Sequence, residues 1–246
     1  YSSYRGRVYL YRGSAAGLLT SATSTLNGTT TGDYFGSALS TGGDVNGDGY
    51  GDVVVGASGV SASTGGAYVY YGSGTGLGSS PSSVVGEAGG DYFGETVSGG
   101  GDVNGDGYDD VMVGAYSYAS AEYGRAYLYL GAATGLVTTV ATTFDAASSG
   151  SHFGRSVAIV PDLSGDGYDD VVVGANYASV GGSAYVYEGS AGGVSSTAVN
   201  SMSATNATEL FGWAVAGAGD VDADGAQDIV VGARNYGNTP AAEGAV

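Results

Sequence analysis

The pair Phe-Gly occurs four times, at Phe35-Gly36, Phe93-Gly94, Phe153-Gly154 and Phe211-Gly212, at spacings of 58, 60 and 58 residues. Nine residues after each Phe stands an Asp (Asp44, Asp102, Asp162, Asp220) that opens an acidic loop. Each loop runs into an apolar triplet followed by Gly-Ala: Val53-Val54-Val55, Val111-Met112-Val113, Val171-Val172-Val173 and Ile229-Val230-Val231. A Tyr-rich stretch comes next, Ala67 to Tyr71, Ala126 to Leu130 and Ala184 to Glu188, with Val8 to Arg12 as its N-terminal counterpart. A module of this length, kept in register along the whole chain, is one supersecondary unit that must stack on its neighbours to bury its faces.

The periods inside a module are those of strands. Tyr68-Val69-Tyr70 and Tyr127-Leu128-Tyr129 alternate, which puts tyrosine on one face and aliphatics on the other. The triplets are apolar throughout, as a strand covered on both faces requires. The Phe-Gly stretch carries small side chains suited to a crowded place where sheets converge. A weaker fourth strand falls in Ser82 to Glu87 and Val137 to Phe144. Glycine, 49 of 246 residues, marks turns in a folded repeat, because the glycines recur in register. The expected fold is therefore all-β, a β-propeller of four-stranded antiparallel blades. The modules run 33–90, 91–150, 151–208 and 209–246, with 1–32 as the second half of a module, in a single propeller domain or propeller fragment. A β-solenoid is the competing architecture, but its turns are usually shorter and less varied.

The acidic loops point to chemistry. They read Asp44-Val-Asn-Gly-Asp-Gly-Tyr-Gly-Asp52, Asp102-Val-Asn-Gly-Asp-Gly-Tyr-Asp-Asp110, Asp162-Leu-Ser-Gly-Asp-Gly-Tyr-Asp-Asp170 and Asp220-Val-Asp-Ala-Asp-Gly-Ala-Gln-Asp228. Oxygen-bearing side chains stand at positions one, three, five and nine of every copy: Asp44, Asn46, Asp48, Asp52; Asp102, Asn104, Asp106, Asp110; Asp162, Ser164, Asp166, Asp170; Asp220, Asp222, Asp224, Asp228. A hard cation such as Ca²⁺ takes six to eight oxygens, and alternate side chains of a tight loop can converge on one point. Glycine at position six permits the bend. Position seven, Tyr50, Tyr108, Tyr168 and Ala226, can offer its carbonyl whatever its side chain. The helical EF-hand is excluded, because its twelfth position must be Glu and here it is Val55, Val113, Val173 and Val231. Asp-Gly loops are also common as plain hairpin turns. Oxygen at the same four positions in four copies argues for about four Ca²⁺ ions, one per loop.

At these residues the chain resembles the FG-GAP repeats of the integrin α-subunit propeller and of bacterial surface proteins. The resemblance covers essentially the whole chain and rests on Phe-Gly, the Asp-x-Asp/Asn/Ser-x-Asp-Gly-x-x-Asp loop and Val-Gly-Ala in fixed order. It implies that the loop joins the first two strands of a blade and binds Ca²⁺ through the residues just named. Two departures stand out. The family's Pro after Gly-Ala is replaced by Ser58, Tyr116, Asn176 and Arg234, and the family's propellers usually have seven blades where this sequence covers four. Gly6-Arg7-Val8 and Gly244-Ala245-Val246 are the same point of the module, so the chain stops at the start of a third strand. Either it is a fragment of a longer propeller, the favoured reading, or the Val8 to Arg12 strand completes the last blade of this chain or of a neighbour, which would allow self-association through open terminal strands.

The formal charge of −18 comes from 24 acidic residues against six Arg, with no Lys, and excludes nucleic acid and anionic membranes as partners. The acidity is largely local: three carboxylates in each of the first three loops and four in the last make 13 of the 24. With no Cys there is no disulfide framework, and no apolar run approaches a membrane span. Catalysis is not expected. The only histidine, His152, stands where other modules have Tyr34 and Tyr92, no Gly-x-Ser-x-Gly elbow occurs, and carboxylate pairs fall inside the cation loops. The expected role is a calcium-binding adhesion or recognition module, extracellular or at the cell surface, whose partner is a protein or glycan of a surface or matrix. Tyr116, Tyr118, Tyr123, Tyr177 and Tyr236, in loops before the third strand, and Trp213, after Phe-Gly, are the aromatic candidates for stacking on sugars. A structural unit of a surface assembly and an accessory domain of a secreted enzyme are further alternatives. Asn27-Gly28-Thr29 and Asn206-Ala207-Thr208 match the short N-glycosylation pattern.

Overall fold

The computed structural model describes residues 4–119 and 122–235. Tyr236, the segment Gly244-Ala245-Val246 and the rest of the last module lie outside the described residues. At the N-terminus β1 (Arg7–Leu10) pairs with β4 (Ser24–Asn27), and the two-residue strands β2 (Gly13–Ser14) and β3 (Gly17–Leu18) pair between them. Three four-stranded meanders follow: β5 (Leu39–Gly43), β6 (Asp52–Ala57), β7 (Gly66–Tyr70) and β8 (Ser82–Val85); β9 (Thr96–Gly101), β10 (Asp110–Ala115), β11 (Arg125–Tyr129) and β12 (Thr142–Asp145); β13 (Phe153–Val160), β14 (Asp170–Ala175), β15 (Ser183–Tyr187) and β16 (Asn200–Ser203). A two-stranded sheet, β17 (Phe211–Gly219) with β18 (Asp228–Ala233), closes the described chain. All these pairings are antiparallel. The first strands β5, β9, β13 and β17 pack on one another in succession, so the sheets are propeller blades with their first strands innermost. The helical stretch Val60–Ser63 is a single turn with left-handed residues Ser61 (φ 51°) and Ala62 (φ 58°).

Strand alternation gives each blade two apolar faces. Val54 opposite Val69, Met112 opposite Leu128 and Val172 opposite Val186 form one face. Val53 opposite Tyr70 and Val55 opposite Tyr68 form the other. The core is the set of layers between blades: Val54, Val69 and Val84 of one blade meet Phe93, Val111, Val113 and Tyr127 of the next. Met112, Leu128 and Phe144 then meet Phe153, Val171 and Val173.

The Phe of each Phe-Gly pair is the wedge in these layers. The Phe93 ring meets Tyr127 and Tyr129 edge-on at 5.1 and 6.4 Å, and Phe35 meets Tyr68 and Tyr70 at 5.7 and 6.1 Å. Its backbone makes a parallel bridge to a glycine of the preceding blade: Gly6 to Phe35, Gly65 to Phe93, Gly124 to Phe153 and Gly182 to Phe211. Those glycines have φ of +80°, +87°, +80° and +104°, and a Cβ on any of them would overlap the Phe main chain. The residue before each Phe is left-handed whatever its type: Tyr34 at 53°, Tyr92 at 54°, His152 at 51° and Leu210 at 55°.

One expectation needs correction. The fourth strand expected over Val137 to Phe144 starts only at Thr142, because the N–H groups of Val137 and Ala141 reach back to the carbonyls of Leu130 and Leu128 in a loop. Phe35, Phe93 and Phe153 are buried and Phe211 is half-buried. A cavity left by a fully enclosed Phe costs about 3–5 kcal/mol. Phe93→Ala should therefore lower the unfolding free energy by about that amount in a urea titration.

Candidate metal centres

Each acidic loop is the hairpin connection between the first two strands of a blade, so the four loops share one end of the molecule. The loop winds around its first carboxylate. Asp44 accepts the N–H groups of Asp48 (2.9 Å) and Gly49 (2.8 Å). Asp102 accepts those of Gly105 (2.7 Å), Asp106 (3.2 Å) and Gly107 (2.8 Å). Asp162 and Asp220 repeat the pattern with Gly167 (2.7 Å) and Gly225 (2.9 Å). Position five then accepts the N–H of position seven: Tyr50 to Asp48, Tyr108 to Asp106, Tyr168 to Asp166 and Ala226 to Asp224, at 2.8 to 3.1 Å. Glycine at position six is left-handed in every loop, with φ of 84° to 95°.

Positions one, three and five therefore point inward together. In the last loop the carboxylates of Asp220, Asp222 and Asp224 offer oxygens within 4.8 Å of one another. In the first two loops the amide of position three joins in: Asn46 Nδ2 lies 3.0 Å from Asp48 Oδ2, and Asn104 Nδ2 lies 3.0 Å from Asp106 Oδ2. Ser164 stays on its own first residue, its Oγ 3.3 Å from Asp162 Oδ1.

Position nine is placed differently. Asp52, Asp110 and Asp170 are buried, and each spans two elements with its two oxygens. Asp110 accepts the N–H of Val103 (2.9 Å) and of Gly131 (2.9 Å); Asp52 does the same with Val45 (3.0 Å) and Gly72 (2.8 Å), and Asp170 with Leu163 (2.7 Å) and Gly189 (2.9 Å). Asp228 accepts the N–H of Val221 at 2.8 Å. In the first three loops the ninth residue thus fastens its loop to the turn after the third strand. In the last loop the close-set carboxylates are those of positions one, three and five, without Asp228.

Burial pushes the Asp110 carboxyl up to about 7, with the nearby Asp102 and Asp106 charges adding and the N–H groups of Gly131 and Val103 opposing. Asp52 and Asp170 are raised for the same first reason. Asp162 is held below the ordinary carboxylate range by the N–H of Gly167 and other loop amides. The donor set is hard oxygen only, with no nitrogen or sulfur ligand, and its charges are uncompensated by any cationic side chain in the described ion pairs. Such a set fits Ca²⁺.

The model of the FG-GAP repeat matches residues 35–70, 93–129, 153–187 and 211–246, each match beginning at the Phe of a Phe-Gly pair. The chain belongs to the FG-GAP repeat family. Its relatives among well-described proteins include integrin alpha pat-2 of Caenorhabditis briggsae, 35% identical over 159 residues that make up 56% of this chain and 13% of the relative. Integrin alpha-8 of Mus musculus is 33% identical over 171 residues, 62% of this chain and 15% of the relative. Integrin alpha-6 of Gallus gallus is 38% identical over 135 residues, 53% of this chain and 12% of the relative. The match thus spans about one seventh of an integrin's length. Among solved structures, rhamnogalacturonan lyase YesW superposes with a TM-score of 0.47 at 14% identity, over 92% of this chain and 43% of that one.

Within the FG-GAP loops, two features escape a reading by ligand position. The eighth residue is Asp in the second and third loops, and Asp109 and Asp169 bond to the loop of the preceding blade. The seventh side chain also has a place: the Tyr108 ring lies against Gly47 and the Tyr168 ring against Gly105. The Tyr-Asp dipeptide at positions seven and eight, present in those two loops alone, was the available signal.

The aromatic candidates gather at the other end of the blades. Tyr116 stacks on Tyr92 at 5.6 Å, and His152 lies beside Tyr116 (5.5 Å) and Tyr177 (4.7 Å) with its Nε2 2.9 Å from Glu122 Oε2. Tyr118 lies under the Arg125 guanidinium at 4.0 Å, and Trp213 meets those of Arg155 (4.3 Å) and Arg234 (4.1 Å). Of the tyrosines proposed for stacking, Tyr123 and Tyr177 are exposed.

The buried carboxyls give the metal-free protein a pH dependence. The folded value of Asp110, about 7, lies above its ordinary 3.8, so between these the folded state holds the extra proton. Stability then falls as pH rises through that window, and the loss is complete above the folded value. Asp52, Asp91, Asp169 and Asp170 shift in the same direction. In chelator the melting temperature should be higher at pH 5 than at pH 8, measured by circular dichroism at constant ionic strength.

Proposed function

We propose that this FG-GAP chain is a calcium-stabilised recognition module of an extracellular or cell-surface protein, which binds a protein ligand and catalyses no reaction of its own. The observation that carries the reading is the four-fold repetition of an oxygen-lined loop at one end of successive blades. The integrin alpha relatives support a surface setting and a protein partner. The ligands would be Asp44, Asn46, Asp48 and Asp52 in the first loop and their equivalents in the others, with carbonyls from position seven. Bound Ca²⁺ would supply positive charge to carboxylates that otherwise repel one another, and so hold the first two strands of each blade together. A protein ligand is preferred to a glycan because Tyr116, Tyr118 and Trp213 are already engaged by other side chains. The absence of Lys and Cys, and the single His, hydrogen-bonded to Glu122, support a non-enzymatic role.

Extracellular-type sites bind Ca²⁺ at about 10⁻⁴–10⁻³ M. With a dissociation constant of about 0.1 mM and about 2 mM free ion, mass action gives roughly 1.8 kcal/mol per site, or about 7 kcal/mol for four independent sites. That is comparable to the stability of a whole domain. Millimolar Ca²⁺ should raise the melting temperature by many degrees over chelator, and Mg²⁺ should restore little of it. Asp48→Ala, Asp106→Ala, Asp166→Ala and Asp224→Ala should each remove part of the response. Equal melting temperatures with and without Ca²⁺, together with no calcium by elemental analysis, would return the loops to plain turns.

A further inference from the structure

We propose that Asp109 and Asp169, together with Tyr108 and Tyr168, are positioning residues that join the first three loops into one coupled cation-binding array and leave the fourth loop outside it. The proposal rests on the calcium reading above and adds to it which sites communicate.

The first residue of each loop is its hub, and the main chain of that hub is held by the next blade. Asp44 donates its N–H to Asp109 Oδ2 at 2.6 Å, and its carbonyl accepts the N–H of Asp109 at 3.2 Å. Asp102 repeats this with Asp169, at 3.0 and 3.2 Å. A second strut runs beside the first. The carbonyl of Val45 accepts the N–H of Ala132 at 3.0 Å, and the preceding Gly131 is fastened by Asp110 at 2.9 Å. Val103, Ser190, Gly189 and Asp170 form the same strut one blade on, at 3.1 and 2.9 Å. The third contact is the ring: a Cβ on Gly47 would come within 2.6 Å of Tyr108 Cε1, and one on Gly105 within 2.6 Å of Tyr168 Cε1.

The Tyr-Asp clasp does not recur at the fourth loop. Positions seven and eight are there Ala226 and Gln227, and Gly165, the counterpart of Gly47 and Gly105, has open space around its Cβ direction. Among the described residues no hydrogen bond joins Gln227 to Asp162. A cation that orders positions five to nine of the second loop therefore also orders the hub of the first, and one in the third loop orders the hub of the second. Ordering done once need not be repeated by the next ion, which makes binding in the three loops cooperative.

The test is a calcium titration of the 246-residue chain by isothermal calorimetry at fixed ionic strength, alongside amide hydrogen exchange in chelator. The parent should show a steep class of sites and a separate shallow one. Asp109→Ala with Asp169→Ala should raise the half-saturation concentration of the steep class about five- to tenfold and bring its slope toward unity. The exchange of the Asp44 and Asp102 amides should accelerate in the same variant. Asp109→Asn with Asp169→Asn removes the charge but keeps an acceptor oxygen, so it should recover most of the cooperativity; it also serves if the Ala variant fails to fold. Ala226→Tyr with Gln227→Asp should draw the third loop's hub into a clasp of its own and move the fourth site into the steep class. If calcium binds but the Ala and Asn variants match the parent isotherm in affinity and slope, the coupling is overturned and the calcium reading stands. If the parent binds no calcium, the calcium reading falls and the coupling with it.

Discussion

Each blade is fixed to the one before it where no side chain fits. Gly6, Gly65, Gly124 and Gly182 lie against the main chain of Phe35, Phe93, Phe153 and Phe211, in a conformation that glycine adopts without strain. A second row of bare positions lies deeper. A Cβ on Gly56, Gly114 or Gly174 would overlap the carbonyl oxygen of Gly94, Gly154 or Gly212 in the next blade. With two such contacts per joint, the inner strands approach closely and the Phe ring is driven between two sheets onto the tyrosines of its own third strand. The acidic loops sit at the far ends of these inner strands, as the hairpins that join the first strand to the second.

The glycine rows explain how a chain with so much glycine can pack a continuous core. Glycine in a strand interior normally weakens it, through backbone entropy and a missing side chain. Here the missing side chain admits a neighbouring backbone, and the apolar burial lost at the strand centre reappears as the Phe and Tyr layers between blades. The acidic end has the opposite economy. Its carboxylates are held by main-chain N–H groups rather than by cationic side chains, and three of the six Arg lie in the first twelve residues.

Much of the fold was legible in the sequence because its determinants are local and repeated. The triplets and Tyr-rich stretches fall in β6, β10, β14, β7, β11 and β15 within a residue or so, since alternation is a property of the strand itself. The Phe-Gly spacing identified the joints. What escaped depends on partners about sixty residues away: the side chain at position eight accepts the N–H of the first residue in the preceding blade's loop, which nothing in its own loop announces. The ninth Asp was read by its oxygens, which is how its sequence position presents it; its hold on the turn after the third strand follows from register. The end of Val137–Thr142 as loop likewise depends on where Leu128 and Leu130 leave their carbonyls.

The Tyr-Asp clasp also bears on how such chains can change through duplication. A stretch from one Phe-Gly to the next carries a whole blade, but the residues that finish its acidic loop, Asp109 for Asp44 and Asp169 for Asp102, are encoded in the following stretch. Copying or deleting one stretch therefore moves a loop away from its own clasp and sets it beside another's. The heritable unit of a complete loop straddles two repeats.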